Sequence, residues 1–574
     1  MTKELSKQIG KQTSKQTSKR TTNKVIQQNG KTTNQMFAQW LRVCPLVAAC
    51  VLLSIAGTAP AAVAETVVMS MPQGKLQGAT SARDDGIAVF KNIPYALPPV
   101  GQRRFRVAEA APDWSGTRLA TDFSPACMQP PYPSESIYAR PATPSSEDCL
   151  YLNVWTPRSV LTQGDKTQKP EGLPVMVWIH GGGLTRGSGS VPTYDGAGLA
   201  AKGVVLVTIN YRLGVFGYMA HPEASAESSF GVSGNYGTSD QVAALEWVKR
   251  NIGGFGGDAN NVTIFGESAG SWSVHHMLAT PRAKGLFHKA IGQSGARFGR
   301  MAPLRGDATS GHAQGVKLQT VVGAENLADL RNLDAATLLA ASQQMRFNEV
   351  FDGVVFPEQF YEMFAAHRYN IVPLMVGYNA DEGTTLGGID NAPADAEAYK
   401  ASLEKRFGEF SDALLKHYPA DDPKESSLAL MRDTLFGRGM HTWARLNAQK
   451  EKDTYFYYFT REPLGEPLGA FHAAEIAYAF DNVSAADLNE EPATAETANI
   501  EAVDVDQRLS QLMSDYWVAF ARNGKPNVEG ATRWPRYSAK KPLHLEFSAE
   551  GATRGRNSLG KRFATLDKIS ASQR

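Results

Sequence analysis

The pentapeptide Gly266-Glu267-Ser268-Ala269-Gly270 constrains this chain more than any other stretch, because of what flanks it. Before it runs Asn261-Val262-Thr263-Ile264-Phe265, a short apolar, β-branched segment that reads as a buried strand. After it, Ser271 to Ala279 reads as a helix that stops before Pro281. Strand, sharp turn and helix form the setting in which a G-x-S-x-G serine is presented as a nucleophile. Gly266 and Gly270, two residues either side of Ser268, let the backbone turn without a Cβ clash. Ser268 then stands at a helix N-terminus, whose N–H groups favour a developing negative charge. On its own the motif also fits an ordinary strand-to-helix turn, since turns use glycine and serine freely.

Three further segments narrow the choice. His180-Gly181-Gly182-Gly183 follows the apolar strand Pro174 to Ile179. Consecutive glycines let backbone N–H groups approach a ligand closely, and acyl transfer needs such donors aimed at the carbonyl oxygen. The competing reading is a flexible linker, an odd thing to find directly after a strand. Gly377-Tyr378-Asn379-Ala380-Asp381-Glu382-Gly383 follows the strand-like Ile371 to Val376. A carboxylate at a strand's C-terminal end can orient an imidazole, and both Asp381 and Glu382 qualify on chemistry. Phe471-His472-Ala473-Ala474-Glu475-Ile476 follows the loop Pro463 to Gly469 and puts His472 just ahead of a helical pattern, well placed as a general base. Serine, acid, histidine is the order along the chain that α/β-hydrolases use. His275, His276 and His288, after the pentapeptide, read as packing or surface residues.

Other segments fall into the same register: Pro98-Pro99-Val100-Gly101 with Arg104-Phe105, Glu147-Asp148-Cys149-Leu150-Tyr151-Leu152-Asn153, Asn210-Tyr211-Arg212-Leu213-Gly214, Asp240-Gln241 with Ala243-Ala244-Leu245, and Phe255-Gly256-Gly257-Asp258. Together these motifs, from about residue 67 to 550, resemble the type-B carboxylesterases, the group that includes bacterial p-nitrobenzyl esterases, animal carboxylesterases and cholinesterases. The resemblance implies an α/β-hydrolase fold, with a mostly parallel central sheet, flanking helices and long helical insertions over the site. It implies a carboxylic ester hydrolase acting on small-molecule esters. Ser268 is then the nucleophile, His472 the base and Glu382 the orienting acid, because the family uses the second residue of its D-E-G turn. The N–H groups of Gly182, Gly183 and Ala269 become the oxyanion donors. Ser294 matches a serine that supports the acid from behind, and Arg104 with Glu147 matches a structural ion pair. The family also joins Cys127 to Cys149; two free buried thiols are the alternative.

The resemblance bears on substrate too. Cholinesterases place a tryptophan in the Met128 to Asp148 loop to hold choline, whereas this loop has only Tyr132 and Tyr138. Leu184 stands where many relatives carry an aromatic, which implies a roomier acyl side. No metal or organic cofactor is needed, and the cysteines and histidines have no zinc-like spacing. The same triad also serves acyl transfer to an alcohol, or amide, carbamate or lactone cleavage. A non-catalytic binding relative would lack the serine or histidine, and both are present.

The first 64 residues read as a targeting segment. A basic start with a single acid, Glu4, leads into an apolar run from Cys44 to Ala59 and then Ala62-Val63-Ala64 before Glu65. That is the pattern of a secretory signal peptide cleaved before Glu65, with Met36 as an alternative start. The run is short for a membrane span, so no stable anchor is expected. The expected product is exported, periplasmic or extracellular, and residues 65–574 form a single large domain. Cleavage removes nine basic residues and one acid, leaving 50 basic and 56 acidic residues and turning the net charge from +2 to −6. A mildly acidic chain argues against nucleic acid or an anionic membrane as partner. Expected sheet strands are Val175–Ile179, Val204–Ile209, Val262–Phe265, Val372–Gly377, Tyr455–Thr460 and His544–Phe547. Helical insertions are expected over 306–369 and 386–452.

Overall fold

Strands β1 (Thr66–Met71), β2 (Gly74–Thr80), β3 (Ile87–Pro94), β4 (Tyr151–Pro157), β5 (Leu173–Ile179) and β6 (Val205–Ile209) build one half of the main sheet. Strands β7 (Gly257–Glu267), β8 (Lys289–Gln293), β9 (Leu374–Asn379), β10 (Thr454–Phe459), β11 (Leu543–Ser548) and β12 (Gly551–Arg556) build the other. The computed structural model describes residues 65–139, 143–161, 172–451, 453–463, 467–483, 500–556 and 560–572. The expected leader, residues 1–64, lies outside the described residues.

The strands lie in the order β1-β2-β3-β4-β6-β5-β7-β8-β9-β10-β11-β12, with Thr117–Leu119 pairing to β2. From β6 through β11 every pairing is parallel, while the outer pairs at both ends are antiparallel. A parallel sheet must be covered on both faces, so most of its strands are rich in apolar residues. In β5 the alternation splits the side chains between two cores: Val175, Val177 and Ile179 face one, Met176 and Trp178 the other. Helices α1 (Tyr236–Asn251) and α2 (Ala269–Ala279) cover the first face with Leu245, Val248, Val274 and Met277. Helix α5 (Ile500–Asn523) covers the second with Leu509, Met513, Trp517 and Phe520. This is the α/β-hydrolase architecture that the sequence predicts.

All six expected strands are present within a few residues of their expected ends. Val372–Gly377 moves forward to Leu374–Asn379, because Pro373 has no N–H to give a ladder and sits ahead of the strand. Both expected insertions are helical. The first includes α3 (Leu327–Asn332) and α4 (Ala335–Ser342); the second includes a π-helical turn over Asp433–Gly437 that runs on into the helix Arg438–Asn447.

Two devices tie the insertions and loops to the sheet. Arg104 grips Glu147 through two parallel bonds of 2.7 and 2.5 Å and donates to the carbonyls of Leu330 and Leu333 on and beside α3. Both chains of the pair are largely buried, and a planar guanidinium matches a carboxylate and two carbonyls as no lysine does. Cys127 and Cys149, 22 residues apart, form a disulfide that closes the loop carrying Tyr132 and Tyr138. Constraining a loop of that length contributes about 3 kcal/mol in the chain-entropy picture. Among the described residues no helix is long and apolar enough to cross a membrane.

Arg212 and Asp240 form a second bidentate pair, at 2.8 and 2.6 Å, with side chains 3% and 0% exposed. Asp240→Ala strands a buried guanidinium, and we expect it to lower unfolding stability by about 3–5 kcal/mol. A urea midpoint indistinguishable from that of the parent would contradict this.

Candidate active site

Strand β7 ends at Glu267, and α2 begins at Ala269, so the turn between them is a single residue. Ser268 is forced to φ +55°, ψ −122°, a backbone state that a side chain rarely adopts. Close backbone packing holds it there. A Cβ on Gly270 would sit 2.0 Å from the carbonyl oxygen of Ile179, and one on Gly295 2.3 Å from that of Ser268. The serine side chain is half-buried, at the start of the helix, facing the His180–Gly183 loop.

That loop is pinned from behind. The Tyr211 hydroxyl donates to the His180 carbonyl at 2.9 Å, and the two rings stack at 4.5 Å. Burial lowers the His180 pKa to about 4, so the ring stays neutral. Gly182 and Gly183 take φ +98° and +64°. Their N–H groups, and that of Ala269, donate to no protein acceptor among the described residues and remain free for a ligand oxygen.

Glu382 and His472 meet although 90 residues apart: Glu382 Oε2 lies 2.5 Å from His472 Nδ1. The other Glu382 oxygen accepts from the Asn379 N–H at 2.9 Å. Asp381 instead accepts from the Ala470 N–H at 2.8 Å, which anchors the loop that carries His472. Of the two acids in the D-E-G turn, one therefore orients the imidazole and the other fixes its loop. Tyr138 reaches in from the disulfide loop and donates to the His472 carbonyl at 2.7 Å. Phe436, on the π-helical turn, stacks on the imidazole at 4.7 Å.

Several placements differ from expectation. His472 Nε2 faces Glu267 Oε1 at 3.1 Å, and no hydrogen bond joins it to Ser268 Oγ. Glu267 occupies the position where the serine hydroxyl would dock. Ser294 is fully buried, but its hydroxyl has no partner and does not reach Glu382, both of whose oxygens are already engaged. Leu184 is fully buried in the core and does not line the cavity beside the oxyanion glycines. His275 and His276 are fully buried against Phe360, and burial keeps both neutral, whereas His288 is only half-buried.

Sequence reasoning passed over Glu267, Glu475 and Phe436 as functional groups. Glu267 was visible inside the pentapeptide, at a position that the motif leaves open. Glu475 accepts from Gln293 at 3.1 Å and Asn379 at 2.6 Å, so it forms a second buried layer behind the acid. Phe436 had no signal, because nothing in a helical pattern announces a π turn. A cavity of about 410 Å³ opens beside Gly183 and Trp272, the latter one turn beyond Ser268 on α2.

This constellation belongs to an ester hydrolase of the α/β class. The sequence model of the carboxylesterase family matches residues 65–564, and the chain belongs to that family. It is 36% identical to the fumonisin B1 esterase of Sphingopyxis macrogoltabida over 488 residues, 83% of this chain and 86% of that one. It is also 36% identical to the para-nitrobenzyl esterase of Bacillus subtilis, covering 82% of this chain and 92% of the relative. Among solved structures, a PNB esterase superposes with a TM-score of 0.70 at 32% identity, covering 87% of this chain and 99% of that chain. A thermophilic PNB esterase gives 0.72 at the same identity and coverage. The chain is thus a carboxylic ester hydrolase.

The charge balance at His472 has a measurable consequence. Burial opposes its positive charge, but the carboxylates of Glu267 and Glu382 outweigh burial and push its pKa up to about 9. Burial raises the Glu267 carboxyl well above its ordinary range, and the imidazole charge opposes that rise. A general base must be neutral to work, and a raised pKa delays that form to higher pH. We expect kcat/KM to climb with pH through an inflection on the alkaline side of about 6.5, the ordinary imidazole value. Glu267→Gln should move the inflection downward; an identical profile in parent and variant would remove Glu267 from the balance.

Proposed function

We propose that the protein is an exported serine carboxylesterase working through an acyl-enzyme intermediate. The observation that carries this reading is the convergence of Glu382, His472 and the strained Ser268 turn beneath three free backbone N–H groups. On substrate binding, Ser268 Oγ takes up Nε2 in place of Glu267 and attacks the ester carbonyl as His472 accepts its proton. Catalytic hydrogen bonds often tighten only in the substrate complex. The carbonyl oxygen gains charge facing the N–H groups of Gly182, Gly183 and Ala269, where one such donor contributes on the order of 3 kcal/mol. Collapse expels the alcohol with the proton from His472. Water then repeats the sequence and releases the acid. Glu382 keeps the imidazole oriented and stabilises its charged form throughout.

An alcohol acceptor reaching the acyl-enzyme before water would make the same site an acyl transferase. Amide, carbamate and lactone cleavage use the same groups. Product analysis with added alcohol separates transfer from hydrolysis.

Two measurements test the proposal. Ser268→Ala should reduce hydrolysis of 4-nitrophenyl butyrate by about 10³-fold or more and abolish labelling by a fluorophosphonate. A variant that keeps its activity would exclude Ser268 as the nucleophile. For export, mass spectrometry of the protein recovered from its host should find Glu65 at the N-terminus. Retention of residues 1–64 would count against it.

A further inference from the structure

The cavity beside Gly183 has an unusual charge. Arg186, Arg297 and Arg346 line it, and no aspartate or glutamate does. Arg297 lies over the Trp272 ring at 4.8 Å and donates Nε to Glu349 Oε1 at 2.6 Å. Glu349 is only 1% exposed, whereas the arginine side chain is 34% exposed. The carboxylate therefore sits behind the guanidinium and fixes it, leaving the remaining N–H donors for the cavity. Arg186 is held in a similar way, with Nε donating to the Pro131 carbonyl at 3.2 Å and its guanidinium over the Tyr132 ring at 5.5 Å. Neither Arg186 nor Arg346 forms an ion pair among the described residues. Gln343 and Asn348 add amide groups to the same wall. Two of three cations thus lack a counter-charge, in a concave site that amplifies their field.

The side of the reaction that this cavity serves follows from the chemistry. The leaving alcohol takes its proton from His472, so it departs on the imidazole side. None of Ser268, His472, Glu382 and Phe436 lines the cavity, which meets the site at the oxyanion donor Gly183 and begins there and at Trp272. On that ground the cavity is assigned to the acyl side.

We propose that this cavity binds a free carboxylate on the acyl arm, so that the preferred substrates are partial esters of dicarboxylic or higher polycarboxylic acids. A guanidinium pair or triad recognises a carboxylate through its paired N–H donors. The ester carbonyl would meanwhile sit at the oxyanion glycines, of which Gly183 also lines this cavity. The inference rests on the ester-hydrolase reading of Ser268 and adds the substrate class.

The test compares 4-nitrophenyl hydrogen adipate with 4-nitrophenyl hexanoate, two esters of one leaving group whose acyl chains differ in a terminal carboxylate. The protein from Glu65 onward should favour the adipate ester in kcat/KM by about tenfold or more at low salt, and the preference should shrink as salt screens the arginines. The ratio of the two rates should fall about threefold in Arg346→Gln and approach unity in Arg186→Gln/Arg346→Gln, at roughly the energy of one partly exposed charge contact each. Arg346→Lys should keep most of it. Hydrolysis of the hexanoate without preference for the adipate, or a ratio unchanged in the double variant, would overturn the substrate assignment alone. Hydrolysis of neither ester would overturn the ester-hydrolase reading of Ser268 and the assignment with it. The parent's ratio and its salt dependence need no variant, so a misfolded mutant does not spoil the test.

Discussion

Everything at this site hangs on a one-residue connection between β7 and α2. Strand β7 ends at Glu267 and α2 starts at Ala269, so Ser268 alone makes the turn. Ser268 therefore adopts a conformation that costs on the order of 1–3 kcal/mol and survives only where its surroundings over-determine it. They do so by backbone contact. Gly266 and Gly270 let the turn close against the carbonyl of Ile179 at the end of β5, and Gly295 lets the segment after β8 close against Ser268 itself. The same contacts bring the His180–Gly183 loop, which leaves β5, alongside the serine. Nucleophile and oxyanion donors are thus positioned by one set of glycine contacts, and a methyl group at any of them would disturb both.

A second constraint is charge. Glu267, Glu382 and Glu475 are buried close to a single imidazole. Desolvation makes one buried carboxylate costly, and three would be untenable without partners. The sheet supplies them: the backbone of Asn379 serves Glu382, and the amides of Asn379 and Gln293 serve Glu475. Glu267 faces His472 at 3.1 Å with no hydrogen bond at Oε1, so burial raises its carboxyl while its charge and that of Glu382 raise the imidazole. The arrangement favours a charged imidazole, the form that His472 takes during each acyl-transfer step of the proposed mechanism.

The sheet and the turn were legible in the sequence because they obey periodicity and local chemistry. Apolar runs ending in Ile179, Phe265 and Phe459 read as buried strands, and the glycines at 266 and 270 fit the sharp turn between strand and helix. Strand β8 escaped notice because Lys289, Gly292 and Gln293 look polar. It is buried all the same, since Gln293 is bonded to Glu475 and to the Trp517 indole, and Lys289 to Asn261. Ser294 shows the opposite failure. A motif carried its position correctly, to the end of β8, but not its hydrogen bond, which depends on which acceptors remain free after Asn379 and His472 have taken Glu382. The stacking of Phe436 depends on a π turn, which no residue pattern announces.

Chemistry and specificity are divided between parts of the chain with different mechanical footing. The groups expected to make and break bonds sit at the C-terminal ends of β5, β7, β9 and on the loop beyond β10, on a sheet buried on both faces. The cavity that would read the acyl arm is built chiefly from α4 and the loop after it, residues 339–348, set against Gly183 and Trp272. Side-chain contacts fasten this insertion to the rest of the chain, among them Arg104 to the carbonyls of Leu330 and Leu333, Arg331 to Glu227, and Asn235 to Val350 and Asp352. Replacing side chains there changes the shape and charge of the cavity without touching the contacts that strain Ser268 or the bonds that hold Glu382. A scaffold of this kind can change substrate at low cost to its chemistry, and a cluster of arginines is what such a change toward acidic esters would leave behind.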